Sequence, residues 1–332
     1  MKARLRDSRR TMGGLSLIEL MVSLVIGLIL MIAIVSAYLG SASASKMAEA
    51  QGRMNEDAQA ALSILGQHIR MAGNNPMQVN YPSTNPTNPI FDTSVAGMSN
   101  YAIRGCDNTF AAFTTQADVN SLTCTSSTSA PDSFVVRYEA DVYNTVKSGS
   151  TPTDCLGQTL TAASPAFTVW DGVTYRAALP SGQPDLVLGA VTPTFYVADN
   201  RFYISTLNGV YNLYCKGSGG GGGQPMVENI EDMQILYGTA AATGPALDVR
   251  GYLTAAQVDA LGTSPADTAT RWSRVVTVRV CVVVRSENPV APNAGSAQYN
   301  DCSGNLVTSQ TDLRLRRAYT TTVVLRNRVA PA

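Results

Sequence analysis

The sequence contains one histidine, His68, and no CxxC pair, so the ligand sets of ordinary zinc sites are missing at their usual spacing. It has no GxSxG nucleophile elbow and no carboxylate pair that pattern alone brings together, which removes the usual starting points for hydrolysis. The glycine run 219–223 is not followed by the GKS or GKT of a phosphate loop and has no dinucleotide-binding spacing, so it reads as a flexible connection. Net charge is missing too, because 24 basic residues balance 24 acidic ones. That balance hides an asymmetry: Lys2, Arg4, Arg6, Arg9 and Arg10 stand before Gly14 against Asp7 alone. The rest of the chain then carries 19 basic and 23 acidic residues, which is no footprint for nucleic acid. These gaps predict a protein that is not an enzyme, holds no metal or organic cofactor, and binds no nucleic acid.

What the sequence has is one long apolar run. Residues 15–39, LSLIELMVSLVIGLILMIAIVSAYL, carry Glu19 as their only charge. At ~1.5 Å per residue, a helix of this length exceeds a ~30 Å hydrocarbon core, so it can span a bilayer. The basic leader holds its start on the cytoplasmic side, and everything after Leu39 faces the opposite compartment. A secretory signal peptide fits less well, because the run is longer than the ~7–15 residues of a signal core. The only small-residue pattern nearby is Ala42 with Ala44, beyond the run. A carboxylate at the centre of such a helix costs about 3 kcal/mol, so Glu19 either lies near the interface or needs a partner.

After Leu39 the chain turns polar but keeps a helical period. Met47, Met54, Ala58, Ala61, Leu62, Leu65 and Ile69 form one stripe, and Lys46, Glu49, Arg53, Glu56, Asp57 and Gln67 occupy the opposite face. One helix is therefore expected over 15–72, stopped by Gly73, Asn74, Asn75 and Pro76. Gly27, Gly40, Gly52 and Gly66 lie inside it at roughly 1 kcal/mol each relative to alanine, and they serve either close packing or local melting. His68 falls near the end of this helix, and its isolation from any second ligand makes it a structural residue.

The remainder, 76–332, reads as strands between long loops, with 80–99 and 121–129 dominated by Pro, Asn, Ser and Thr. Strands are expected at 133–140, 167–170, 185–188, 194–197, 202–206, 210–214, 233–237, 273–285 and 318–326. In SRVVTVRVCVVVR, valines 276, 278, 280, 282 and 284 share one face, which marks a central strand. The last segment should pair with it across the polar connection 286–312. Asn300, Asp301, Ser303 and Asn305 offer oxygens to calcium, but they read as turn residues around Cys302. Six cysteines, Cys106, Cys124, Cys155, Cys215, Cys281 and Cys302, all lie in this region and read as disulfides formed outside the cytoplasm. Many pairings are open to six cysteines, nearest-neighbour closure among them. The fold class is then α+β, a long N-terminal helix packed on an antiparallel sheet head with long loops. Its parts are a leader (1–14), a transmembrane half-helix (15–39), an amphipathic half-helix (40–72) and the β-rich head (76–332).

The junction GGLSLIELMVSL resembles the class III signal of type IV prepilins, whose usual form is glycine followed by FTLIELMV. Leu15 and Ser16 stand where phenylalanine and threonine are usual. The resemblance implies a prepilin peptidase that cuts after Gly14 and N-methylates Leu15. Glu19 becomes the fifth mature residue, which in this family pairs with the N-terminal ammonium of a neighbouring subunit. In the head, DSFVVRYE, DCLG, NLYC, PMVENIEDMQILYG and RRAYTTTVVLRN resemble the PilW group of minor pilins and imply a Cys155–Cys215 bridge. That group implies a bacterial inner-membrane protein with a periplasmic head that later enters a filament. The partners implied are other minor pilins, the major pilin, the inner-membrane assembly platform and a large adhesin-like tip protein. Twitching motility, attachment and DNA uptake are the implied activities. The nearest rival is a GspJ-like pseudopilin of type II secretion, and a more distant one is a membrane-anchored binding module or enzyme.

Overall fold

The computed structural model describes residues 16–74, 78–79, 86–87, 101–111, 122–125, 130–141, 143–163, 195–241, 248–262, 271–308 and 310–327. Gly14 and Leu15, the helix-stop residues Asn75 and Pro76, the expected strands 167–170 and 185–188, and most of the loops 80–99 and 121–129 lie outside the described residues.

The apolar run and the amphipathic stripe form one helix, α1 (Leu17–Met71). Residues through Glu49 make one compact unit and residues from Ala50 onward a second. In the first unit the large apolar side chains from Leu17 to Leu39 are between 52% and 79% exposed, so among the described residues this surface stays open. In the second unit α1 buries Met54, Ala58, Ala61, Leu65, Gly66 and Ile69, steps of three and four that trace the expected stripe. Met47 and Leu62 are half-buried. The helix stops beyond Met71, where Gly73 takes φ 74° and donates its N–H to the Arg137 carbonyl at 2.8 Å. A left-handed residue at this position is the ordinary use of glycine after a helix.

The strands of the head follow in order. β1 (Gln78–Val79) and β2 (Pro86–Thr87) form a small ladder, followed by β3 (Ile103–Cys106) and β4 (Ser133–Ala140). β5 (Lys147–Ser148) pairs with β6 (Thr151–Pro152), and β7 (Ala162–Ala163) precedes the long β8 (Phe195–Leu207). Then come β9 (Val210–Lys216), β10 (Gln224–Glu228), β11 (Ile230–Thr239), β12 (Gly251–Leu253) and the short helix α2 (Ala255–Asp259). β13 (Val275–Arg285), the hairpin β14 (Tyr299–Asn300) with β15 (Leu306–Val307), and β16 (Arg316–Val324) close the chain.

Two antiparallel sheets result. The first has the order β10-β9-β8-β4-β3, with β7 also on β8, and the second has the order β12-β11-β13-β16. β13 is central, as its valines require, and its partner β16 lies in register from Thr277↔Val324 to Arg285↔Arg316. Asn229, at φ 64°, is the single residue between β10 and β11, where the chain leaves the first sheet for the second. β8 runs unbroken through 198–201, where the sequence reading saw a gap between two strands. The polar residues there are buried and partnered: Asp199 faces two arginines, and Asn200 bonds to Tyr138. The core centres on Trp272, Tyr138, Tyr237, Phe134 and Phe202.

Disulfides join Cys106 to Cys124, Cys155 to Cys215 and Cys281 to Cys302, which are the nearest-neighbour pairs. They tie loops back to strands, the role such bridges have in loop-rich extracytoplasmic domains.

Candidate assembly site

The first turn of α1 is held by its own sequence. The Ser16 carbonyl accepts from Glu19 N at 3.1 Å and Leu20 N at 3.2 Å, and Ser16 Oγ accepts from Glu19 N at 3.3 Å. Ser16 is therefore an N-cap, and Glu19 is the third helical residue, the position of the acid in a Ser-x-x-Glu capping box. Its charge also sits at the positive end of the helix dipole. Reading Ser16 only as a replacement for threonine missed this role, although the Ser-x-x-Glu spacing was visible in the sequence. The other hydroxyls in the apolar run bond locally: Ser23 Oγ donates to the Leu20 carbonyl at 3.0 Å and Ser36 Oγ to the Ala33 carbonyl at 2.9 Å. Such back-bonding lets serine lie in an apolar medium at small cost. Among the described residues α1 is the one helix long and apolar enough to cross a membrane.

In the second unit the head grips the same helix through several side chains. Tyr319 on β16 donates to Asn55 Oδ1 at 2.6 Å, and Asn229 Nδ2 donates to Asp57 Oδ2 at 3.3 Å. Asp57 is thus half-buried against the sheet corner rather than on a solvated face; desolvation raises its carboxyl, partly offset by the Asn229 bond. Arg53 and Glu287 pair at 3.1 Å on the surface, a contact worth about 0–1 kcal/mol. Near the helix end, His68 Nδ1 lies 3.2 Å from Tyr138 Oη and 3.4 Å from Asn200 Nδ2, with its ring 5.0 Å from that of Phe202. Burial lowers the His68 pKa to about 4, so the ring is neutral at physiological pH. It is a packing residue that joins α1 to β4 and β8.

The remaining sequence candidates divide cleanly. Asp301 Oδ1 accepts from Ser303 N at 2.9 Å and Asn305 N at 2.8 Å, so this acid closes a turn. No group of three or more His, Cys, Asp or Glu among the described residues is placed to hold a metal ion. The glycine run is not a free tether. Gly219 N donates to Asp154 Oδ2 at 2.9 Å, while Asp154 Oδ1 accepts from Leu156 N and Gln158 N, folding the Cys155 turn against the run. A Cβ at Gly219 would stand 2.7 Å from the Gln158 carbonyl oxygen, which explains glycine there by close approach rather than by flexibility.

Comparison with known proteins follows the two halves of this layout. Residues 9–35 match the prokaryotic N-terminal methylation motif. Residues 194–327 match PilW, the type IV pilus-assembly protein W, a span that takes in β8 to β16 and so strands of both sheets. No curated protein matches the sequence. Among solved structures, a type IV-like pilin from Thermus thermophilus matches over 60% of this chain and 78% of its own, at 10% identity and a TM-score of 0.25. With a methylation motif on an apolar helix and a PilW match over 194–327, the chain is similar to the PilW minor pilins of type IV pili over those strands, and its layout fits a single-pass inner-membrane anchor whose extracytoplasmic head later joins a pilus.

Proposed function

We propose that this subunit helps to initiate or cap a type IV pilus, lying near its tip with α1 in the filament core and the head exposed. The carrying observation is the bare apolar surface of 17–39 with one carboxylate in its first turn. Cleavage after Gly14 by prepilin peptidase leaves Leu15, N-methylated, one residue before the Ser16 cap. An ammonium there lies at the positive end of its own helix dipole and gains from a carboxylate brought by another subunit. Glu19 of a neighbour supplies one, so that two charges costly to bury alone are buried together. The work of the chain is assembly, with other minor pilins, the major pilin, the inner-membrane assembly platform and a large tip adhesin as partners. Twitching, attachment and DNA uptake follow from the pilus. Intact-mass analysis of the purified protein should show a chain beginning at methylated Leu15; an uncut Met1 overturns the reading. Deleting the gene should abolish surface pili and leave type II secretion intact, whereas lost secretion with normal pili selects the pseudopilin reading.

A further inference from the structure

Register in the first sheet gathers positive charge on one face. Arg104 opposes Val135, Val135 opposes Arg201, and Arg137 opposes Asp199. Opposed residues share a face, as do residues two apart on a strand, so Arg104, Arg137, Arg201 and Asp199 lie together. Lys216, opposite Arg201, joins them. The other face carries Phe134, Tyr138, Asn200 and Phe202, the last three of which meet His68.

Arg137, Arg201 and Asp199 are only 4%, 5% and 5% exposed. Asp199 answers both guanidiniums, through Oδ1 to Arg201 Nε at 3.3 Å and Oδ2 to Arg137 Nη2 at 3.5 Å. Arg137 Nε and Nη1 are buried without a hydrogen-bond partner, and so is Arg104 Nε, although Arg104 Nη1 donates to the Leu122 carbonyl at 2.7 Å. Glu139, two residues along β4 from Arg137, has its carboxyl raised to about 7 by burial and by Asp141, and its Oε2 is itself buried without a hydrogen-bond partner, so that oxygen does not answer Arg137. A guanidinium cannot shed its proton, and buried charge without a counter-charge is strongly unfavourable. The need here is for acceptors that carry negative charge, and guanidinium forks match oxyanions better than spherical ions.

We propose that this face binds a small tetrahedral oxyanion, phosphate or sulfate, between Arg104 and Arg137, with Asp199 and Arg201 holding the Arg137 guanidinium in place. The test uses the full chain in detergent, purified free of phosphate and sulfate and titrated calorimetrically with sodium phosphate, then with sodium sulfate. One saturable equivalent is expected, together with an unfolding midpoint raised by phosphate or sulfate above potassium chloride of equal ionic strength. Arg137→Gln should weaken binding roughly ten- to a hundred-fold, since hydrogen bonds to charged groups are lost. Arg104→Gln, at a half-exposed position, should weaken it at least about ten-fold and decides the matter where Arg137→Gln does not fold. Lys46→Gln, on the exposed helix, should bind as the parent does. Absence of saturable binding, equal midpoints in phosphate, sulfate and chloride, or unchanged affinity in Arg104→Gln overturns the proposal.

Discussion

Asn229 and Asp57 meet across 3.3 Å, joining the one-residue corner between the two sheets to the middle of the helix-docking face. The corner needs a left-handed residue, and asparagine meets that need while keeping an amide to give to the carboxylate. Asn229→Ala should lose the bond, about 1 kcal/mol, and strain the backbone by about 1 kcal/mol more. Asn229→Gly loses only the bond. Urea unfolding of the two variants separates the terms, and equal costs would show that the backbone contributes nothing.

Three buried groups set a pH dependence with opposing signs. Burial raises Asp132 to about 8 and Glu139 to about 7, so the folded chain holds protons that the unfolded chain releases near pH 4. Their stabilisation is complete at low pH and is lost as pH rises through 7 to 8. His68 behaves the other way: its pKa falls from 6.5 to about 4, so its contribution is present above pH 6.5 and lost as pH falls toward 4. Stability should decline from pH 6.5 to about 8 and, below 6.5, rise only about half as steeply toward acid, because His68 there offsets one of the two carboxyls. Asp132→Asn keeps an oxygen for the Ile235 N–H, bonded now at 2.7 Å, and should flatten the alkaline limb. His68→Gln should instead make the rise toward pH 4 about twice as steep as in the parent. Denaturation curves taken across this range for the three proteins check both signs.

The periodic parts of the fold were legible and the paired polar parts were not. Strand 133–140 coincides with β4, because an apolar run between turn residues is a signal written in consecutive side chains. β13 with β16 was legible for the same reason. β8 read as two pieces because Asp199, Asn200 and Arg201 carry loop-like polarity, and only tertiary partners make them strand residues. β3 and β10 were not read at all; at four and five residues, each is too short for a period to show. At the assembly helix the apolar run and its acid were plain, whereas the grip of Asn229 on Asp57 spans 172 residues and leaves no local trace.

The glycine run offers an internal control. Gly219→Ala should destabilise by about 1–3 kcal/mol, since the new methyl meets a backbone carbonyl that cannot swing aside. Gly222 has nothing within 4 Å of its would-be Cβ and no left-handed φ, so Gly222→Ala should stay within about 0.5 kcal/mol of the parent. Thermal unfolding of the pair tests whether the segment is docked; a tether would tolerate both changes alike.

Glu19 has two roles that one substitution can separate. At the third helical position, three residues after the Ser16 cap, a long polar side chain favours the first turn of α1, and glutamine serves there as glutamate does. As the proposed partner of a neighbour's ammonium it must carry charge, which glutamine cannot. Glu19→Ala removes both roles and Glu19→Gln only the second, so comparing them in sheared surface pili isolates the charge. Both variants should be cut after Gly14, because the residues flanking the cut are unchanged. Both should also be depleted from the filament at least roughly ten-fold, since an unpaired buried ammonium costs several kcal/mol and each 1.4 kcal/mol is a factor of ten. Parent-level incorporation of Glu19→Gln alongside loss of Glu19→Ala would assign Glu19 to helix capping and leave the ammonium to find another partner.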